Sequence, residues 1–177
     1  TTFMDMYFHM DRVAEAVNET GIRAVISRGM IGVGPENERA ITESLELIEK
    51  WHQTAGGRIQ YKWGPHAPYT CPPDYLRRVM ELAKQTETGI HIHISETSGE
   101  IEDIKKQYGK SPVELLEEIG LFSVPVVAAH CVHLSENDIQ ILKNNNVGVA
   151  HNPESNMKLA SGIAPVPEML TAGIAVG

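Results

Sequence analysis

Apolar, β-rich runs alternate with amphipathic stretches along the whole chain, and that alternation leaves few folds open. Thr1 to Tyr7 reads as a strand, and Asp11 to Thr20 as a helix closed by Gly21 in the C-terminal capping position. Ile22 to Ser27 is a short apolar strand. A Gly/Pro turn from Gly32 to Pro35 follows it, then a helix from about Glu36 to Thr54. Arg58 to Trp63 is the next strand, and Pro72-Pro73-Asp74 opens a helix to about Thr86, with proline tolerated in its first turn. Ile90 to Ser95 is a strand, Val113 to Ile119 is helical, and Val124 to His130 is again β-rich. Ser135 is a capping residue with an acid three positions on, so a helix starts there. Val147 to His151 is a strand, Val166 to Thr171 a helix, and Ile174 to Gly177 the start of one more strand.

Strands alternating with helices in this way predict βαβ units and a parallel sheet. The count is seven full strands, with an eighth begun if the last apolar stub is counted generously. A doubly wound open sheet competes with a closed barrel. Polar residues cluster after nearly every strand, which suits the ring of loops at one end of a barrel. The expected fold class is therefore α/β, an incomplete (β/α)8 TIM barrel. No linker or composition shift divides residues 1–177, so one partial barrel domain is expected. A complete barrel takes about 250 residues, and this chain of 177 begins inside one strand and stops inside another. A fragment is the expectation.

Composition excludes several classes. Lys plus Arg number 15 and Asp plus Glu 23, a formal net charge of −8, whereas a nucleic-acid surface or basic membrane patch needs excess positive charge. No apolar run approaches the roughly 20 residues of a membrane helix, and no basic leader precedes Asp11. Cys71 and Cys131 cannot build a disulfide framework, and two cysteines suit a reducing cytoplasm.

The chemistry-bearing residues end strands. Alternation puts His91 and His93 on one face of the strand Ile90–Ser95, with Glu96 just past its C-terminal end. Neutral imidazole ligates zinc and iron, and Glu carries protons beside a metal-activated water. Two buried, hydrogen-bonded histidines and a solvated Glu would explain this segment equally well taken alone. His66 sits in a Pro-bracketed turn after Trp63, His130 ends the Val124 run, and His151 ends the Val147 strand. Histidines at four strand ends are hard to explain by packing, and in a parallel barrel those ends converge on one pocket. Alternation points Cys131 away from His130, so it reads as a small buried hydrophobe.

Five stretches resemble the metal-dependent amidohydrolase superfamily, and within it the 5-methylthioadenosine/S-adenosylhomocysteine deaminases. They are SRGM (Ser27 to Met30), GPHAPYTCPP (Gly64 to Pro73), HIHISET (His91 to Thr97), AAHCVHL (Ala129 to Leu134) and AHNPESNMKLASGIAPV (Ala150 to Val166). The resemblance implies barrel strands two to seven plus the beginning of strand eight. It implies that His93 is a metal ligand, that Glu96 is the acid/base relaying a proton to the purine, and that His130 holds the attacking hydroxide or the tetrahedral intermediate. In some branches that last histidine is itself a ligand. His66 then resembles a substrate contact near the ribose, while Arg28 and Arg39 resemble contacts to the sugar or the amino-acid tail. Arg39 also fits the solvated face of a helix among acids. His91 has no assigned role beyond a buried barrel-interior histidine, and His151 and Asn156 shape the pocket floor. The family's strand-one His-x-His and strand-eight Asp fall outside Thr1 to Gly177, which leaves three of four expected ligands off the chain.

The implied activity is hydrolytic deamination of an adenosine-type thioether nucleoside. A divalent metal serves as cofactor, zinc by default, though iron suits the same ligands. A small-molecule nucleoside is the expected partner, with no nucleic acid and no membrane, and the protein is expected to be a homo-oligomer. A guanine or cytosine deaminase, a triazine chlorohydrolase, or a catalytically incomplete fragment are the competing readings.

Overall fold

The computed structural model describes residues 2–177. Six parallel strands are hydrogen-bonded strictly in chain order. They are β1 (Thr2–Tyr7), β2 (Arg23–Met30), β3 (Ile59–Pro65), β4 (Gly89–Ile94), β5 (Val126–His130) and β6 (Gly148–Ala150). The helices lie between them: α1 (Met10–Thr20), α2 (Glu36–Trp51), the single turn α3 (Thr54–Gly57), α4 (Pro73–Gln85), α5 (Ser98–Tyr108), α6 (Pro112–Glu118), α7 (Glu136–Asn144), α8 (Pro153–Lys158) and α9 (Val166–Ala172). This is a curled partial (β/α)8 barrel. Six full strands are described rather than the seven counted, and the last stub contributes only a parallel bridge between Val176 and Val149. Thr1, expected to open the first strand, lies outside the described residues.

Local chemistry sets the boundaries. Gly21 adopts φ 78° and donates its N–H to Val17 O, ending α1 as its position predicts. Ser111 with Glu114, and Ser135 with Asp138, form capping boxes that start α6 and α7. The helix expected to reach Thr54 stops at Trp51, because His52 turns extended and its Nδ1 accepts the Tyr61 N–H. Pro125 has no N–H to give the ladder, so β5 begins at Val126, although the Pro125 carbonyl still accepts from Ile90. The helices α5 and α8 escape a reading by apolar periodicity: among their residues only Glu100, Ile104 and Asn156 are buried.

Two apolar clusters hold the sheet. One packs Met10, Ala14 and Val17 of α1 on Ile26, Ile59 and Tyr61. The larger packs α4 to α7 and α9 on Trp63 and on Ile90, Ile92 and Ile94 of β4. Because Ile90, Ile92 and Ile94 face the helices, His91 and His93 face the lumen. Among the described residues no helix is long and apolar enough to cross a membrane.

Candidate active site

Three neighbouring strand ends carry the histidines. The His66 N–H donates to Met30 O at 2.8 Å, which ties the turn after β3 to the end of β2. That turn needs Gly64, since a Cβ there would lie 2.6 Å from the Arg28 carbonyl oxygen. Ring centroids of His66 and His93 are 4.9 Å apart, and those of His93 and His130 are 5.2 Å apart. His130 Nε2 stands 3.7 Å from a Glu96 carboxylate oxygen. The structure thus brings His66, His93, Glu96 and His130 to one end of the sheet. His91 lies deeper, 5% exposed, with Nδ1 3.4 Å from Ser27 Oγ. His151 follows β6, and its Nδ1 is buried without a protein partner.

Hydrogen bonds decide which ring nitrogens face the pocket. Thr70 Oγ1 donates to Ala67 O, so it accepts from His66 Nδ1 at 2.9 Å, and His66 presents Nε2 as an acceptor. His93 Nδ1 donates to the His66 carbonyl at 2.7 Å, which leaves its Nε2 lone pair outward. His130 Nδ1 pairs with Asn156 Oδ1 at 2.8 Å, and Asn156 is 2% exposed with its Nδ2 unpartnered by protein atoms. Asn156 therefore orients a site histidine, a more definite task than shaping a floor.

The turns after β4 and β5 are strained. Ser95 (φ 54°), His130 (φ 72°) and Cys131 (φ 50°) all occupy the left-handed region without being glycine. Such conformations persist only where the surroundings over-determine them. One determinant is Glu100, 3% exposed, whose two oxygens accept the N–H groups of Ser95 (3.0 Å) and Glu96 (2.8 Å). Burial pushes the Glu100 carboxyl up to about 7. Glu100 was missed in the sequence, although Thr97 and Glu100 have the capping-box spacing that announces it. Cys131 is fully buried, and burial raises its thiol pKa, consistent with an inert packing role.

The donor set fits part of a metal shell. Burial lowers the His93 pKa to about 4, so the ring stays neutral with a lone pair to give. A ring whose other nitrogen donates to a backbone carbonyl is the usual form of a metal-binding histidine. His93 can supply one ligand and His130 a second. Among the described residues no three His, Cys, Asp or Glu side chains are arranged to hold an ion together.

Arg28 and Arg39 sit to one side. Arg28 leaves β2 on the helix-facing side, donates from Nε to Glu43 Oε2 at 2.7 Å and also to the Gly29 carbonyl, and lies 4.8 Å from the Phe8 ring centroid. Arg39 on α2 pairs with Glu36 at 2.6 Å and with Glu43 at 3.2 Å. A cavity of about 510 Å³, walled largely by Met6, Met30, Ile31 and Ala40, touches Arg28, Arg39 and His66 together. Glu43, which joins the two arginines, was not singled out in the sequence. Its place one helical turn after Arg39 was the available signal.

Comparison with known proteins agrees with this geometry. The Amidohydrolase family matches residues 1–177. This chain belongs to the amidohydrolase family. It is 66% identical over 177 residues to the 5-methylthioadenosine/S-adenosylhomocysteine deaminase of Syntrophomonas wolfei, covering 99% of this chain and 41% of that protein. The protein of the same name from Desulforudis audaxviator is 60% identical, with 100% of this chain and 41% of the relative covered. Among solved structures, an adenosine deaminase from Xanthomonas campestris with bound zinc superposes with a TM-score of 0.90 at 31% identity, covering 100% of this chain and 41% of the other. A guanine deaminase from C. acetobutylicum with bound guanine gives 0.86 at 25% identity over 99% and 45%. This amidohydrolase chain thus spans about two fifths of the length of the relatives it matches.

Proposed function

We propose that the whole protein hydrolyses the exocyclic amine of an adenine ring in a thioether nucleoside, S-adenosylhomocysteine or 5-methylthioadenosine. The products are the inosine analogue and ammonia. The observation that carries this reading is the identity of 60–66% to deaminases of that name. The convergence of His93, Glu96 and His130 supports it.

Water adds at the carbon bearing the amine, and the carbon–nitrogen bond then breaks, so one water is consumed for each ammonia released. A divalent metal, zinc by preference, supplies Lewis-acid activation of that water when bound. His93 contributes a neutral nitrogen toward it. Glu96, at a strand end beside His130, takes the proton from the water, gives it to the ring nitrogen, and passes a proton to the leaving amine. His130 stabilises the charge that develops on the attacked carbon's oxygen. His66 accepts a hydrogen bond from the sugar through Nε2, and Arg28 and Arg39 receive the substituent on the far side of the sugar.

Values of kcat/KM, read as ammonia release or, for a chlorotriazine, as chloride release, test the reading. S-adenosylhomocysteine or 5-methylthioadenosine should rank above guanine, cytosine and a chlorotriazine. A free base or a triazine ranked first would overturn the nucleoside assignment and leave the hydrolase standing.

A further inference from the structure

A second cavity, about 550 Å³, opens on the other side of Arg28 and Arg39 and shares them and Phe8 with the apolar cavity that reaches His66. Its charged walls are balanced in sign: Asp11, Glu43 and Glu46 against Arg28, Arg39 and Lys50. A site built for a simple anion carries surplus cations, because each anion must be neutralised as well as hydrogen-bonded. Equal numbers of both signs around one cavity match a ligand that carries both signs itself. Glu43 is the pivot, since one of its oxygens pairs with Arg28 and the other with Arg39. Its side chain keeps 38% of its surface exposed, so it has room for a third partner. Arg28 is fixed by the Gly29 carbonyl and Phe8, whereas the Arg39 side chain is 62% exposed at the cavity mouth.

We propose that Glu43 is a specificity-determining residue that binds the α-ammonium group of a zwitterionic amino-acid tail, with Arg39 taking the α-carboxylate beside it. The inference rests on the thioether-nucleoside reading above and deepens it. The apolar cavity takes the thioether arm, and the balanced cavity takes the amino-acid end. A 5′ substituent lacking that end leaves Glu43 committed to the two arginines.

The test uses the whole metal-loaded protein and three substrates: S-adenosylhomocysteine, its analogue with the ammonium replaced by hydrogen, and its analogue with the carboxylate replaced by hydrogen. Wild type should lose about tenfold in kcat/KM, carried by KM, when the ammonium is removed, the scale of one charge-assisted hydrogen bond at a part-exposed site. Glu43→Gln should lose that factor for S-adenosylhomocysteine and for the decarboxylated analogue but not for the deaminated one, so that the discrimination collapses toward one. Glu43→Asp, which keeps the charge, should restore part of it. Equal losses for all three substrates would make Glu43 a brace for the arginines only and overturn the proposal. So would a wild type that treats the ammonium-bearing and ammonium-free substrates alike, a result that needs no variant. Failure of the underlying reading looks different, since no adenine thioether would then release ammonia at all.

Discussion

Glu96 stands 3.7 Å from the His130 ring, and its position just past β4 depends on backbone bonds to Glu100 rather than on its own side chain. Glu96→Gln keeps that backbone arrangement and removes only the carboxylate proposed to carry the proton. Turnover should fall by about 10²–10⁴-fold while metal content stays at the wild-type level, measured by elemental analysis beside steady-state rates. Near wild-type turnover would take the acid/base role from Glu96. His91 makes a different kind of prediction. Burial lowers its pKa from the ordinary 6.5 to about 3, so the folded state holds the neutral ring. The stability this contributes is present above about pH 6.5 and is lost as pH falls toward 3. The loss amounts to about 1.4 kcal/mol per pH unit over that window. Glu100 acts in the opposite sense: with its pKa raised to about 7, its contribution is full below 4.5 and is lost as pH rises through about 7. Urea midpoints at pH 7 and pH 5 for wild type and His91→Gln isolate the histidine, and the variant should lose less stability on acidification. Equal slopes would remove His91 from the account.

At the scale of elements, the site depends on two turns that the strands cannot hold by themselves. Glu100→Ala removes both acceptors for the Ser95 and Glu96 N–H groups and should lower kcat far more than it raises KM, because the loop that carries Glu96 loses its anchor. A KM-only effect would argue against this role. Gly64→Ala forces a Cβ to 2.6 Å from the Arg28 carbonyl, and overpacking of this kind costs about 1–3 kcal/mol, readable as a drop in melting temperature. Much of this was legible beforehand. Strand alternation separates His91 and His93 from their isoleucine neighbours, and the strand ends name His66, Glu96 and His130 without any structure. Glu43 and Asn156 were harder to read, because their meaning lies in partners far along the chain: Arg28 is 15 residues from Glu43, and His130 is 26 from Asn156. The helix α5 was hidden for a related reason. Its fully buried residues are Glu100 and Ile104, and a single apolar position makes no periodic pattern.

For the whole molecule, the separation between core and site governs what metal removal does. The two apolar clusters are built from β-strand isoleucines and the helices packed on them, while the histidines proposed to meet the metal face the lumen. Chelation of the whole protein should abolish turnover and leave far-UV circular dichroism largely unchanged, with zinc restoring the rate. A cooperative loss of helix signal on chelation would assign the metal a folding role instead.

The order β1 to β6, with no strand inserted between sequence neighbours, bears on how the chain is made. Each strand pairs with the one synthesised just before it, so loop-closure entropy is met in short instalments. As the polypeptide leaves the ribosome, every new strand finds its template edge already in place. The growing edge is exposed only briefly, because the next strand covers it about 20–35 residues later, within seconds at ordinary elongation rates. A ribosome-bound series of increasing length should therefore gain protease resistance stepwise, one βα unit at a time, rather than all at once on release.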